Sequence, residues 1–430
     1  MDQRVIEKLT GSQIYKWAYD LFPINRSITG PGVRQTLLYI QDLFPELSIH
    51  EVPSGTVVFD WTVPDEWSIE SAYIENEKGE RIVDFDNTNL HIVAYSEPVD
   101  KWLEFEELDK HLFSLSDQPD AIPYITSFYR RNWGFCLTHN QRMSLDKMTR
   151  YHVVIKSKLE KGSLTYGELI IPGKSEKEVL ISTYVCHPSL GNNEISGIVV
   201  TMGLAYWLTG LFDREYTYRI LFIPETIGAI TYLSKNSKEM KDKTIAGFVV
   251  TCVGDNRAYS FMPSRTGITL ADKIARFTLE NYLDKYDEYS FLERGSDERQ
   301  YCSPLIDLPV VSVMRSKYGT YPEYHTSMDN LTLICPEGLE GAFNIISKCL
   351  EVLEINQTYM VTIPCEPQLG KRGLYKLDST KTGGDTINNL LAYLDGKTDL
   401  VDVSKIIGTD IFECNYTILE LLSHSLVKKV

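Results

Sequence analysis

VLISTYV (179–185), followed at once by CHPSLGNNEISG (186–197), decides the fold. The first segment is an unbroken apolar run of strand length, the pattern of a strand buried on both faces. The second is polar and turn-forming, and it leads into an apolar helix candidate at 196–211. The same order recurs downstream. YRILFIP (218–224) precedes a helix candidate at 227–240, and AGFVVTCVG (246–254) precedes one at 271–283. PVVSVMR (309–315) precedes another at 336–354, where Pro336 suits a first turn. This alternation predicts an α/β fold with a doubly wound, mostly parallel sheet.

The flanks read differently. Residues 12–45 predict two helices around the break PINRSITGPG. Ser12 is the expected N-cap of the first; Val33, Leu37, Leu38 and Ile40 form the expected apolar face of the second. Residues 61–150 read as short strands between Pro and Gly turns, a β-rich insert. Its 17 acidic and nine basic residues read as a solvated surface. Residues 356–375 read as a linker, followed by three short helices in TINNLLAYLDG, LVDVSKIIG and IFECNYTILELLSHSLVKKV. The expected domains are therefore 1–60 with 151–355, then 61–150, then 356–430.

Composition bounds the function classes. With 430 residues, 43% apolar and 24% charged, the chain is a folded protein of two or three domains. A net charge of −16 argues against nucleic acid and anionic membranes. The uncharged run Ile195–Phe212 approaches membrane-spanning length, but its Gly, Ser and Thr content predicts a buried core helix. Eight scattered cysteines without a CxxC pair argue against a thiolate zinc cluster. MDQRVIEKLT has no apolar leader, so the expected location is cytoplasmic, with reduced thiols.

In open α/β sheets, ligands bind at the carboxyl ends of the strands. The residues following the strands here are His187, Glu225, Asp255, and the loop SKYGTYPEYHTSMDN with His325 and Asp329. His187 and His325 are the metal-ligand candidates, because neutral imidazole is a favoured zinc ligand. Glu225 reads either as a general base for a metal-bound water or as a carboxylate at a helix N-terminus. Asn192 to Glu194 read as a turn and cap; Ser296-Asp297 reads as a cap or as a ligand-orienting pair.

CHPSLGNNEISG, FIPETIG, GSDERQY and YHTSMDN together resemble the zinc aminopeptidase superfamily that also contains glutaminyl cyclases. LFPINRSITGPGVRQTL, VPSGTVVFDWTVPDEW and CEPQLGKRGLY resemble a bacterial group of aminopeptidase-like proteins associated with polysaccharide biosynthesis. The resemblance covers essentially the whole chain. It implies an α/β domain of zinc-aminopeptidase type, a β-rich insert and a winged-helix-like C-terminal domain. His187 and His325 match metal ligands of the superfamily, and Glu225 matches its general base. Asn193 stands at the bridging aspartate, Thr226 replaces a ligand glutamate, and a further ligand aspartate falls near Cys252, with Asp255 three residues on. Asn193 is neutral and Thr226 removes a carboxylate, so the resemblance implies one zinc rather than two. The expected metal residues are His187, Asn193 and His325, with Glu194 or Asp255 as a further oxygen donor.

The implied function is zinc-dependent hydrolysis of an amide or aminoacyl group on a small-molecule or peptide substrate. The alternative is a non-catalytic binding protein with a degenerate peptidase site. IFECNYTILELLSH carries no Arg or Lys, and residues 371–430 hold eight basic and eight acidic side chains. The C-terminal domain is thus expected to make protein contacts, such as a homo-oligomer interface, rather than to bind nucleic acid.

Overall fold

The computed structural model describes residues 9–374 and 383–430. Most of the N-terminal leader reading and the last residue of CEPQLGKRGLY lie outside them. The chain forms two compact units, one of residues 1–272 and 285–344, the other of 273–284 and 345–430.

The first unit is built on an eight-stranded sheet. Its order is Ser48–Pro53, Ser163–Ile171, Thr217–Ile223, Glu178–Tyr184, Thr244–Val249, Val310–Met314, Ser260–Met262, Asp287–Glu288. The four strands from Thr217–Ile223 to Val310–Met314 run parallel. Every residue of Glu178–Tyr184 and of Val310–Met314 is buried, which explains their unbroken apolar runs. The helices Ser196–Gly210, Ile227–Lys243, Leu270–Tyr282 and Pro336–Ile355 follow the strands as expected. Ser196–Gly210 is a core helix, and no helix among the described residues is long and apolar enough to cross a membrane.

Two local expectations are corrected. The first helix, Gly11–Leu21, is capped by Thr10 rather than Ser12. Thr10 and Gln13 form a reciprocal capping box, which satisfies two free backbone N–H groups at once. In Pro31–Leu43, Val33, Leu37 and Ile40 are buried, but Leu38 is 53% exposed. One residue is a 100° step round a helix, enough to carry Leu38 off the face that Leu37 occupies. The preceding Gly30 has φ 102°, and a Cβ there would meet the Trp67 carbonyl oxygen at 2.2 Å, so only glycine fits this entry.

Residues 61–150 contribute to an antiparallel sheet ordered Arg81–Asp84, Glu66–Asn76, Arg150–Glu160, Val99–Glu104. Arg150–Glu160 is a central strand of this sheet, so the boundary drawn at 150 cuts through it. Trp67, Ala72, Ile74, Tyr151 and Val153 join one hydrophobic cluster with Tyr166, Leu180 and Ile223 of the larger sheet. The segment thus has no separate core, because β-pairing with a later strand joined it to the α/β layers.

His152 lies on this sheet between Glu75 and Asp100, with both ring nitrogens 2.8 Å from a carboxylate oxygen. Its ring stacks on Trp102. The two hydrogen bonds, Glu75 first, raise its pKa above the ordinary histidine value. A proton on His152 therefore favours the folded state. The added stability is present below the ordinary histidine value and is lost as pH rises through the raised one. Because the pair with Asp100 is solvated, the gain is at most about 1 kcal/mol. Urea midpoints should fall between pH 6 and 8.5 in the wild type by more than in His152→Gln; equal pH dependence in the two would remove this account.

In the second unit, helices Gly383–Tyr393, Leu400–Ile407 and Ile411–Ser423 accompany an antiparallel sheet of Asp395–Asp399, Thr358–Val361 and Val427–Lys429. Thr358–Val361, read from sequence as linker, is the middle strand. Its four residues are too few to carry a periodic signal. Asp399 and Asp410 cap the second and third helices through backbone N–H groups, and Gly408 closes the second in the left-handed conformation.

Candidate active site

The strand Glu178–Tyr184 delivers Cys186 and His187 to the carboxyl edge of the sheet. His187 is buried, and its Nδ1 lies 2.9 Å from Glu194 Oε2. The other oxygen of Glu194 accepts the Cys186 N–H at 2.8 Å and lies 3.3 Å from Arg26 Nε. Arg26 is itself buried and donates to the carbonyls of His187, Pro188 and Leu21. The INRSITG motif thus supplies a guanidinium that ties the histidine loop to the first helix. Glu194, charge-balanced by Arg26, fixes the imidazole with Nδ1 as donor and leaves the Nε2 lone pair free. A histidine prepared for a metal is oriented in this way. Burial opposes charging of His187, but Glu194 and Glu225 outweigh it and raise its pKa. Cys186, His187 and Glu194 hold three atoms of metal-ligand type within 4.8 Å of one another. Both carboxylate oxygens of Glu194 are, however, already engaged.

The Asn-Asn-Glu stretch forms a wide helical turn, Gly191–Ile195, leading directly into Ser196–Gly210. Asp329 holds it by accepting the N–H groups of Asn192 at 2.5 Å and Asn193 at 3.0 Å. Burial pushes the Asp329 carboxyl up to about 6. Asn193 accepts the Tyr184 hydroxyl on Oδ1, while its buried Nδ2 has no partner. Asp255, a candidate oxygen donor, is instead saturated. Its oxygens accept from Asn192 Nδ2, Arg257 N, Ser316 N and Ser316 Oγ, so it splices loops together and has no lone pair directed at His187.

Glu225 follows Thr217–Ile223 and places Oε2 3.9 Å from His187 Nε2. The chain reverses immediately after it. Thr226 has φ 63° and ψ −75°, and the Ile227 N–H bonds the Glu225 carbonyl at 2.7 Å. This is a γ-turn of the rare positive-φ kind, at a β-branched residue that disfavours it. Asp297 Oδ1 accepts the Thr226 N–H at 2.7 Å, and Arg299 donates to the Thr226 hydroxyl at 2.8 Å. These two bonds from GSDERQY hold the strain, which turns the Glu225 side chain towards His187 rather than onto the helix that follows. Thr226, the N-cap of that helix, makes no side-chain cap bond. Burial raises the Glu225 carboxyl above its ordinary value, with His187 pulling it back. Burial and Glu225 raise Asp297 further, and its Oδ2 is buried without a partner.

His325 arrives from the loop after Val310–Met314, also with positive φ, 56°. Its ring stacks on Tyr324 at 3.9 Å. Its carbonyl accepts the Tyr124 N–H, and Ser327 binds the Ile122 N–H. The Tyr124 ring lies 5.2 Å from both His187 and His325, whose own centroids are 5.7 Å apart. Burial and then His187 push His325 down to about 3, so its imidazole stays neutral. Its Nε2 is buried and has no hydrogen-bond partner.

Of the sequence-predicted residues, His187, Glu225 and His325 converge; Asn193 is joined to them through Tyr184, whose ring lies 5.1 Å from His187. Cys252, near which the resemblance placed a ligand aspartate, is a buried thiol beside Tyr321. Sequence reasoning missed Arg26, Tyr124 and the role of Asp297. Arg26 lay in a quoted motif, but its partners are 161 and 162 residues away. Two imidazoles beside a carboxylate suit a zinc ion in donor type, and the unpaired Nε2 of the neutral His325 is the atom such an ion would take.

The family described as domain of unknown function DUF4910 matches residues 15–356. The chain belongs to that family. A winged helix-turn-helix family matches residues 357–429, in agreement with the helices and sheet of the second unit. A Clostridium acetobutylicum protein named for polysaccharide biosynthesis and an aminopeptidase-like domain is 44% identical over 98% of this chain and 97% of its own length. A crystal structure of a candidate peptidase from the same organism has a TM-score of 0.92 at 43% identity, covering 98% of this chain and 96% of that one. The zinc aminopeptidase BSAP of Bacillus subtilis has a TM-score of 0.59 at 12% identity, covering 82% and 96%. The DUF4910 region therefore has an aminopeptidase-like fold: a mostly parallel sheet of zinc-aminopeptidase type with additional antiparallel strands.

Proposed function

We propose that this protein hydrolyses an amide or aminoacyl group, with one zinc ion held by His187 and His325 and with Glu225 as general base. The observation that carries the reading is the pair of Nε2 atoms, one facing Glu225 at 3.9 Å and one buried without a partner. Asn193 supplies a neutral oxygen donor, because the two ends of an amide exchange by a half-turn. Zinc bound there supplies Lewis-acid activation of the carbonyl and of water. Glu225 accepts the proton of the attacking water and returns it to the leaving amine. Its raised pKa makes it a stronger base than an exposed glutamate. Glu194 holds His187 in the required tautomer. The name of the Clostridium relative points to an amide-bearing precursor of a polysaccharide as substrate.

The test is a zinc titration against a chromophoric chelator at neutral pH. Wild type should bind zinc, His187→Ala should lose at least about 10–100-fold in affinity, and Asn193→Asp should gain. If His187→Ala binds as tightly as wild type, the metal reading is wrong. The missing carboxylates at Asn193 and Thr226 favour a second reading, a binding protein with a degenerate site. Zinc binding by Asn193→Asp but not by wild type would select it.

A further inference from the structure

Two aromatic residues in the left-handed region, Tyr95 at φ 67° and Tyr129 at 65°, line one cavity of the first unit. Bulky side chains rarely adopt this conformation, and such strain concentrates at ligand clamps. The cavity has a volume of about 320 Å³, within the range of small-molecule sites. Tyr95, Tyr129, Arg130, Arg131, Lys161 and Asp65 line it. Trp61 packs edge-on against Tyr129 at 5.4 Å, and the two remain 39% and 51% exposed. Phe59, at the turn of the same hairpin, is 56% exposed.

Its charge is the reverse of the chain's. Three cations and one anion line the cavity, in a protein of net charge −16. Asp65 pairs with Lys161 at 2.7 Å and with Arg131 at 3.5 Å. Arg130 is exposed and has no ion-pair partner among the described residues. An unpaired guanidinium in a cavity that Tyr95 and Tyr129 also line suits a ligand with an apolar face and an anionic group.

One short chain segment links the cavity wall to the candidate active site. Tyr124, which packs against His187 and His325, and Tyr129, on the cavity wall, are five residues apart on one segment, at most about 18 Å. Ala94 pins this segment through backbone bonds to Ile125 and Ser127. The Tyr129 hydroxyl end is crowded enough for burial, and then Cys186 next to His187, to raise its pKa.

We propose that this cavity binds a pyranose sugar carrying an anionic substituent, a carboxylate or a phosphate. The C–H face of the ring lies on Tyr129 and Trp61, and the anion pairs with Arg130. As a statement about substrate, the inference rests on the amide-hydrolase reading: it makes the substrate an acidic sugar whose amide reaches Glu225. As a statement about binding, it stands apart from turnover.

The experiment is isothermal titration of full-length Glu225→Gln protein, which removes hydrolysis, with methyl glucuronide, glucose 1-phosphate, methyl glucoside and inorganic phosphate. One or both anionic sugars should bind, identifying the group as carboxylate, phosphate or either. Adding Arg130→Ala or Tyr129→Ala should weaken that binding at least about tenfold with the thermal midpoint unchanged. Arg130→Lys, which keeps the charge and puts folding at little risk, should lose part of the affinity. Methyl glucoside binding as tightly would overturn the anion recognition, and phosphate alone binding as tightly would overturn the sugar recognition. No binding by either anionic sugar, or unaltered binding by Arg130→Lys and Tyr129→Ala, would overturn the site. Each of these outcomes leaves the zinc titration standing, so the two readings fail separately.

Discussion

Arg26→Met lowers the stability of the first unit by about 3–5 kcal/mol. The guanidinium is 1% exposed, lies 3.3 Å from Glu194 and donates to three backbone carbonyls of the histidine loop and first helix. Methionine roughly fills the volume but leaves Glu194 as a buried charge without its counter-ion, and those carbonyls without their donor. Breaking one side of a buried pair costs far more than the pair contributes. Arg26→Met with Glu194→Gln should recover part of the loss, because the stranded charge is gone. Urea unfolding followed by circular dichroism and by tryptophan fluorescence measures both variants. A loss below about 0.5 kcal/mol, the range of ordinary surface substitutions, would show that Arg26 does not hold the loop.

On the proposed hydrolase reading, Glu225→Gln should lower the turnover of an amide substrate by about 10²–10⁴-fold, the usual contribution of a positioned general base. Zinc content should be unchanged, since His187 and His325 remain. The amide matches the carboxylate in shape but cannot accept a proton. In the wild type, the base must be ionised, so activity falls as pH drops through its pKa. Burial raises that pKa and His187 pulls it back. A panel of aminoacyl nitroanilides and N-acylated amino sugars supplies the substrates. A loss under about tenfold in Glu225→Gln would take the general base away from this residue.

Some of the missed chemistry left traces in the sequence that only contacts could interpret. GSDERQY suggested a cap or an orienting pair; contacts show Asp297 and Arg299 holding Thr226 in a γ-turn. The 61–150 segment read correctly as strands, but its sheet is completed by Arg150–Glu160, whose partner lies some 80 residues earlier. Pairing between distant strands has no local periodicity, whereas burial of one strand on both faces does.

The sequence by itself determined the parallel sheet, its helices and the edge at which His187, Glu225 and His325 meet. A strand's direction fixes which end its following loop occupies, so parallel neighbours bring their next residues to the same edge. The sequence's resemblance to the zinc aminopeptidases implied that Asn193 and Thr226 stand where that superfamily has carboxylates. Tertiary structure alone decided which groups hold that edge in working order. Arg26 balances Glu194, Asp329 clamps the Asn-Asn turn, and Tyr124 packs against both histidines. It also placed two strained tyrosines, Tyr95 and Tyr129, and the exposed Arg130 round one cavity. These arrangements join residues tens to hundreds of positions apart. Only packing sets their distances, and buried charge makes those distances decisive, since an ion removed from water must find its partner within a few ångströms.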